Sequence, residues 1–237
     1  MGILVWVWLA LMNPHRLAFG MAYDFPFSQM IAIVTLVAML FSREPKRLKG
    51  GAAAGFLIFF VLWTCVTTAF ALVPETAVPM LERVVKIQLV TLLALLLLYK
   101  KEHVITLVWV IVLSIGYFSI KGGVFTLLHG GNFLVWGPAG SFIADNNAFA
   151  LAAVMTIPLM AYLFLIYRQR WLRIGLAGAG LLTAASAFGS HSRGALLAIA
   201  AMAVFLWFKS SKKLAFGAVL VTVAAAMVTF MPEKLAP

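Results

Sequence analysis

Charge is what this chain has least of. Charged residues make up 11% of its 237 positions, less than half the roughly 25% of an ordinary soluble domain. Hydrophobic residues make up 64%. A soluble domain has nowhere to bury so much apolar surface, whereas a lipid-embedded bundle can leave it facing acyl chains. Acidic residues are scarcest, 7 against 18 basic ones. None falls in the middle of an apolar run, so the usual carriers of an intramembrane proton relay are missing. Tyr23-Asp24 has no second aspartate in any run, which argues against an intramembrane aspartyl site. Cys65 is the single cysteine, so no disulfide forms within the chain. With no Cys pair and no H-E-x-x-H, no metal site is expected. The period-two alternation of a membrane barrel is absent too. No basic region precedes the first apolar run and no small-residue cleavage site follows it, so no cleaved signal peptide is read. There is no internal repeat and no soluble segment.

What is present is a series of continuous apolar runs. Spanning a hydrocarbon core takes roughly 20 helical residues. The expected fold is all-α, a polytopic transmembrane bundle of about nine spans forming one membrane domain over residues 1–237. A short first run covers 3–12 and ends at Asn13-Pro14-His15-Arg16, since a proline disfavours helix at the residue before it. Further spans are predicted at 28–41, 51–73, 80–99, 104–120, 148–167, 171–188, one beginning near Gly189, and 214–230. Pro74 and Pro79 mark a turn before the fourth, and Pro158 a kink in the sixth. A glycine-rich loop is expected over 121–147, with Lys121 solvated in it. Gly51 and Gly55, and later Gly175, Gly178 and Gly180, have the small-residue spacing of closely packed helices.

Charge placement gives an orientation. Arg43, Lys46, Arg47, Lys49, Lys100, Lys101, Arg168, Arg170, Arg173, Lys209, Lys212 and Lys213 follow alternate spans. If every span crosses, these twelve basic residues share one face, which the positive-inside rule makes cytoplasmic. The net charge of +11 is then a topology signal, not a nucleic-acid footprint. Arg16, Arg83, Lys86, Lys121, Arg193 and Lys234 remain on the outer face and work against the rule.

One stretch among these stands out, Gly189-Ser190-His191-Ser192-Arg193-Gly194. The apolar run after it, 195–208, gives only about 21 Å of helix at 1.5 Å per residue. A helix that crosses must therefore start near Gly189, which puts His191 and Arg193 in its first turns at the membrane surface. Arg83 and Lys86 stand at i and i+3, on one face of an earlier helix. A cationic group at that level suits a phosphate or pyrophosphate headgroup. Such cations stabilise the charge on a departing lipid pyrophosphate when its sugar is transferred. The ordinary readings are also open: a snorkelling interfacial Arg193, and Arg83 and Lys86 paired with Glu75 and Glu82 near water. His191 is two residues from Arg193, so on a regular helix the two do not face each other. It acts as a base only if an irregular turn aims it, and His15 and His129 are equally unselected by spacing. Asp145-Asn146-Asn147 reads as a helix cap. Ser190–Gly194 looks like a nucleophile elbow, but the first glycine is replaced and the setting is not a soluble strand–turn–helix.

Ser192-Arg193-Gly194-Ala195-Leu196-Leu197-Ala198, after a span rich in glycine and alanine, resembles the core signature of the O-antigen ligase and polymerase superfamily. Asn13-Pro14-His15-Arg16-Leu17 with Tyr23-Asp24-Phe25-Pro26-Phe27, and Gly137-Pro138 through Ala144-Asp145-Asn146-Asn147, resemble the O-glycosylation ligases associated with the exosortase A system. The resemblance implies a multi-pass bacterial inner-membrane glycosyltransferase with no cofactor and no metal. Its implied partners are an undecaprenyl-pyrophosphate-linked glycan, a protein or lipid acceptor on the periplasmic side, and membrane lipids, with no nucleic acid. Arg193 matches the arginine that stabilises the pyrophosphate, and Lys86 a basic residue at the outer end of an earlier helix; Arg83 and His191 are further candidates for substrate binding. The family carries a large periplasmic loop with a catalytic histidine after the span matching 214–230. The chain is therefore expected to be the N-terminal part of such a ligase, inactive without that base. The competing classes are a transporter or flippase of lipid-linked saccharide and a non-catalytic envelope-complex subunit. A transporter should show internal repeats and paired broken helices, and neither is found.

Overall fold

The computed structural model describes residues 2–23, 25–42 and 51–209. The predicted span at 214–230 and most of the basic segment at 42–49 lie outside the described residues. Within them the chain is helical, with no strand. The helices are α1 (Gly2–Met12), α2 (Phe27–Phe41), α3 (Gly51–Ala69), α4 (Pro74–Leu97), α5 (Lys101–Leu128), α6 (Asn146–Ile166), α7 (Arg170–Gly189) and α8 (Arg193–Lys209). Four of them, α3, α5, α6 and α7, are long and apolar enough to cross a membrane; α2 and α8 are shorter apolar helices. The chain is a helical membrane protein.

The helices group into two compact units, Met1–Ala10 with Phe25–Val110, and Leu11–Asp24 with Ile111–Pro237. In the first, Ile3, Leu4, Trp6 and Leu93 form a core, with Ile31, Leu36 and Val90 around it. The start of α1 lies so close to α2 that a Cβ on Gly2 would overlap the Thr35 side chain. α3 packs on α4 yet buries only Ala54. Phe56, Phe59, Leu62 and Trp63 are all exposed, as suits side chains facing lipid. Among the described residues neither Gly51 nor Gly55 makes the expected close contact, since neither has a neighbour within 4 Å of a built Cβ. α4 begins at Pro74, earlier than the turn predicted there, and carries Pro79 inside it. Proline is tolerated at the first helical position, and Pro79 in the second turn forfeits only the bond to the Glu75 carbonyl.

In the second unit, α6 packs against α7 and α8. The contact is made by small side chains, Ala150, Ala153, Ala187 and Ala195 with Val154. A second core joins Ile115, Val135, Ile143 and Phe149. Among the described residues the predicted packing glycines of α7, Gly175, Gly178 and Gly180, meet nothing within 4 Å of a built Cβ. Close approach is made by other glycines. A Cβ on Gly123 would overlap the Leu182 carbonyl, and one on Gly189 the Thr126 side chain. This explains why α5 outruns its predicted end at Ile120. The Gly122-Gly123 pair that reads as a loop is where α7 crosses α5, and a helix contact needs the missing Cβ. α5 is thus about 42 Å long at 1.5 Å per residue. Lys121 is an exposed residue of this helix, not of a loop. Pro158 lies inside α6, which continues on both sides of it.

Candidate functional site

The turn between α7 and α8 corrects the predicted helix start. α7 runs through Gly189, and only Ser190, His191 and Ser192 intervene before α8 begins at Arg193. The residues expected to start the eighth span instead reverse the chain. His191 takes the left-handed conformation, φ 53, which is uncommon outside glycine, though histidine, asparagine and aspartate enter it more readily than other side chains. Its N–H bonds back to the Phe188 carbonyl, and the Ser190 N–H to that of Ser186. Ser190 is fully buried; its hydroxyl donates to the Ala187 carbonyl at 2.6 Å and accepts from the Ser192 N–H at 3.3 Å. The Ser192 hydroxyl accepts from the Ala195 N–H, so Ser192 caps α8 as a serine at that position should. Both hydroxyls serve the turn, and neither is a nucleophile of an elbow.

Side chains from other elements hold this turn. Asn146 Nδ2 donates to the Ser190 carbonyl at 2.9 Å. The Val135 N–H reaches the Gly189 carbonyl. His191 Nε2 lies 2.6 Å from the Gly131 carbonyl. A carbonyl only accepts, so Nε2 is the donor in this contact. His129 adopts the opposite arrangement, with Nδ1 donating to the Phe125 carbonyl at 2.9 Å. Asp145 caps α6 by accepting from the N–H groups of Asn147 and Ala148, as its sequence position suggests.

The segment after α1 reaches the same end of this unit. Asn13, left-handed at φ 50, donates from Nδ2 to the Ala139 carbonyl at 3.0 Å. Arg16 stands 4.5 Å over the Tyr23 ring and beside Gly140, where a Cβ would meet its guanidinium. Burial, and then the charge of Arg16, hold His15 below the ordinary imidazole range. The loop 129–145, the α7–α8 turn and the segment 13–17 therefore meet at one end, with Arg16, His129, His191 and Arg193 among them. Arg168, Arg170 and Arg173 mark the opposite end, where Arg173 lies 4.2 Å over the Phe164 ring.

Arg193 is the first residue of α8 and is exposed. A cation there opposes the helix macrodipole, which favours negative charge at an N-terminus. An anion at this position would meet both the guanidinium and the partial charge of the helix end. His191 is half-buried beside it, and the irregular turn aims its ring at the 129–132 segment. Arg83 and Lys86 stand on α4, in the other unit, and are exposed. Lys86 is ion-paired to Glu82 one turn away, so the ordinary reading accounts for its geometry. Among the described residues no cluster of three His, Cys, Asp or Glu side chains could hold a metal ion.

Sequence reasoning undervalued Asn146, Asn13 and Arg16. Asn146 looked like part of a cap, and only the tertiary contact shows it holding the Ser190 carbonyl. The Asn13-Pro14 step was a visible turn signal, but nothing in the sequence names its partner 126 residues away. No curated protein and no solved structure matches the chain. A family model does match residues 1–167, more than half of the sequence, and the chain belongs to that family, a family of unknown function (DUF5935).

Proposed function

We propose that the protein is a membrane glycosyltransferase of the O-antigen ligase type. It moves a glycan from undecaprenyl pyrophosphate to a protein or lipid acceptor on the periplasmic side of the bacterial inner membrane. The observation that carries this reading is the grouping of Arg16, His191 and Arg193 at one end of the second unit, opposite Arg168, Arg170 and Arg173. Residues 13–17 and 137–147, which resemble the exosortase-associated ligases, are tied together there by Asn13 to Ala139, and Asn146 ties the second of them to Ser190, just before the stretch 192–198 that resembles the superfamily signature.

In this reaction the acceptor hydroxyl attacks the anomeric carbon, and the bond from that carbon to the pyrophosphate oxygen breaks. The pyrophosphate leaves with the electron pair, and the acceptor proton passes to a base. Arg193 lowers the barrier by meeting the charge that develops on the leaving group, with a fork of donors matched to phosphate oxygens. The full bundle has about nine spans, and the positive-inside rule sets the Arg193 end outside. A periplasm-only reporter joined after Gly140 is then active, and one joined after Arg168 is silent. Cells whose copy carries Arg193→Ala accumulate the lipid-linked glycan and lose it from the acceptor. Unchanged glycan transfer in those cells would refute the assignment.

A further inference from the structure

The loops at the Arg193 end have their polarity reversed. In 13–23 the polar residues Asn13, His15 and Arg16 are buried or half-buried, while the apolar ones turn outward. Phe19 is 99% exposed and Met21 96%. In the loop between α5 and α6, Phe133, Trp136 and Phe142 are exposed, while Ser141 folds back onto Pro138 and Ile143. A loop bathed in water shows the opposite arrangement, since exposing a phenyl ring to water forgoes burial worth about 1.5–3 kcal/mol.

We infer that the tips of both loops, Leu17, Phe19 and Met21 in one and Phe133, Trp136 and Phe142 in the other, insert into the headgroup–acyl boundary of the bilayer at that end. Three observations select lipid as the occupant. α6 is about 31 Å long at 1.5 Å per residue, matching a hydrocarbon core of about 30 Å. Its first residue, and Phe142 just before it, therefore fall at the boundary. The two loops are joined, by Asn13 to Ala139 and by Arg16 against Gly140, so 13–23 lies at the same end. Both also satisfy much of their backbone internally. Ala18 bonds to His15, Tyr23 to Gly20, Gly137 to Ala144 and Ser141 to Pro138, as irregular backbone near hydrocarbon must. Trp136 adds the aromatic type enriched at this level. The loops act as an interfacial wedge, holding the cationic end of the unit at headgroup height. This inference requires only that the helices cross a membrane, and it stands whether or not a glycan is the substrate.

Spin labels test it directly. Cys65→Ser removes the native thiol, and Phe19→Cys, Phe142→Cys and Lys100→Cys are labelled one at a time in the full chain. The protein is reconstituted in vesicles of phosphatidylethanolamine and phosphatidylglycerol. Phe19 and Phe142 are exposed, so labelling leaves the packing intact. Collision with oxygen should exceed collision with a water-soluble nickel complex several-fold at 19 and 142, and the order should reverse at 100. Nickel collision at 19 equal to that at 100 would overturn the inference in favour of water. Low collision with both reagents at 19 would overturn it in favour of a protein cover.

Discussion

Two helices carry basic residues that the sequence places at one level, and the structure treats them differently. On α4, Arg83 and Lys86 stand on an open surface, and Lys86 is satisfied by Glu82 on its own helix. At the start of α8, Arg193 follows a turn fastened by α6, by the loop 129–145 and by its own serines. The first arrangement asks nothing of the rest of the fold, because an i,i+4 pair forms wherever a helix forms. The second requires three distant segments to agree. What the tertiary contacts fix is the turn that leads into Arg193, and so the place from which its side chain starts; a preorganised backbone of that kind suits a reaction with a developing anion.

The contrast can be broken by substitution. The largest effect is expected beneath the turn. Gly123→Ala would drive a methyl group into the Leu182 carbonyl, forcing α5 and α7 apart at a cost of about 1–3 kcal/mol. Thermal unfolding in detergent should show that loss, while Gly178→Ala, with nothing within 4 Å of it among the described residues, should leave stability equal or higher. Asn146→Ala comes next. It strips the Ser190 carbonyl of its donor and should cost about 1 kcal/mol. A smaller effect concerns pH. Folding holds His15 below the ordinary imidazole value of 6.5, first by burial and then by Arg16. Above that value the folded and unfolded chains are equally deprotonated there. As pH falls through it the unfolded chain takes up the proton first, so stability declines on acidification. Melting temperatures at neutral and mildly acid pH should diverge less in His15→Gln than in the native protein. Least of all, Lys86→Ala should leave the melting temperature unchanged. A loss there as large as that of Asn146→Ala would erase the distinction between the two regions.

The class of fold was legible in the sequence because it depends on composition and run length, which need no partner. Among the described residues most helix ends were legible within a few residues for the same reason, the exceptions being the start of α4 and the end of α5. The errors share a cause. Gly122 and Gly123 read as loop yet lie in α5 against α7, while Gly175, Gly178 and Gly180, read as packing surface, meet nothing within 4 Å among the described residues. A glycine serves flexibility or close approach, and only the neighbouring helix decides which. The stretch 189–194 was recognisable as unusual from the short run that follows it. Its form as a left-handed reversal was not, since His191 at φ 53 is held there by Gly131, far away in sequence. The Asp145 cap was legible because it is wholly local.

The central claim is that Arg193 meets a lipid pyrophosphate. Equilibrium binding of undecaprenyl pyrophosphate to the detergent-solubilised protein tests it most directly. A charge-assisted contact contributes about 1.5–3 kcal/mol, so Arg193→Ala should weaken binding roughly tenfold to a hundredfold. Arg193→Lys should restore part of it, and Lys86→Ala should bind as the native protein does. Equal affinity in the native protein and Arg193→Ala would contradict the account.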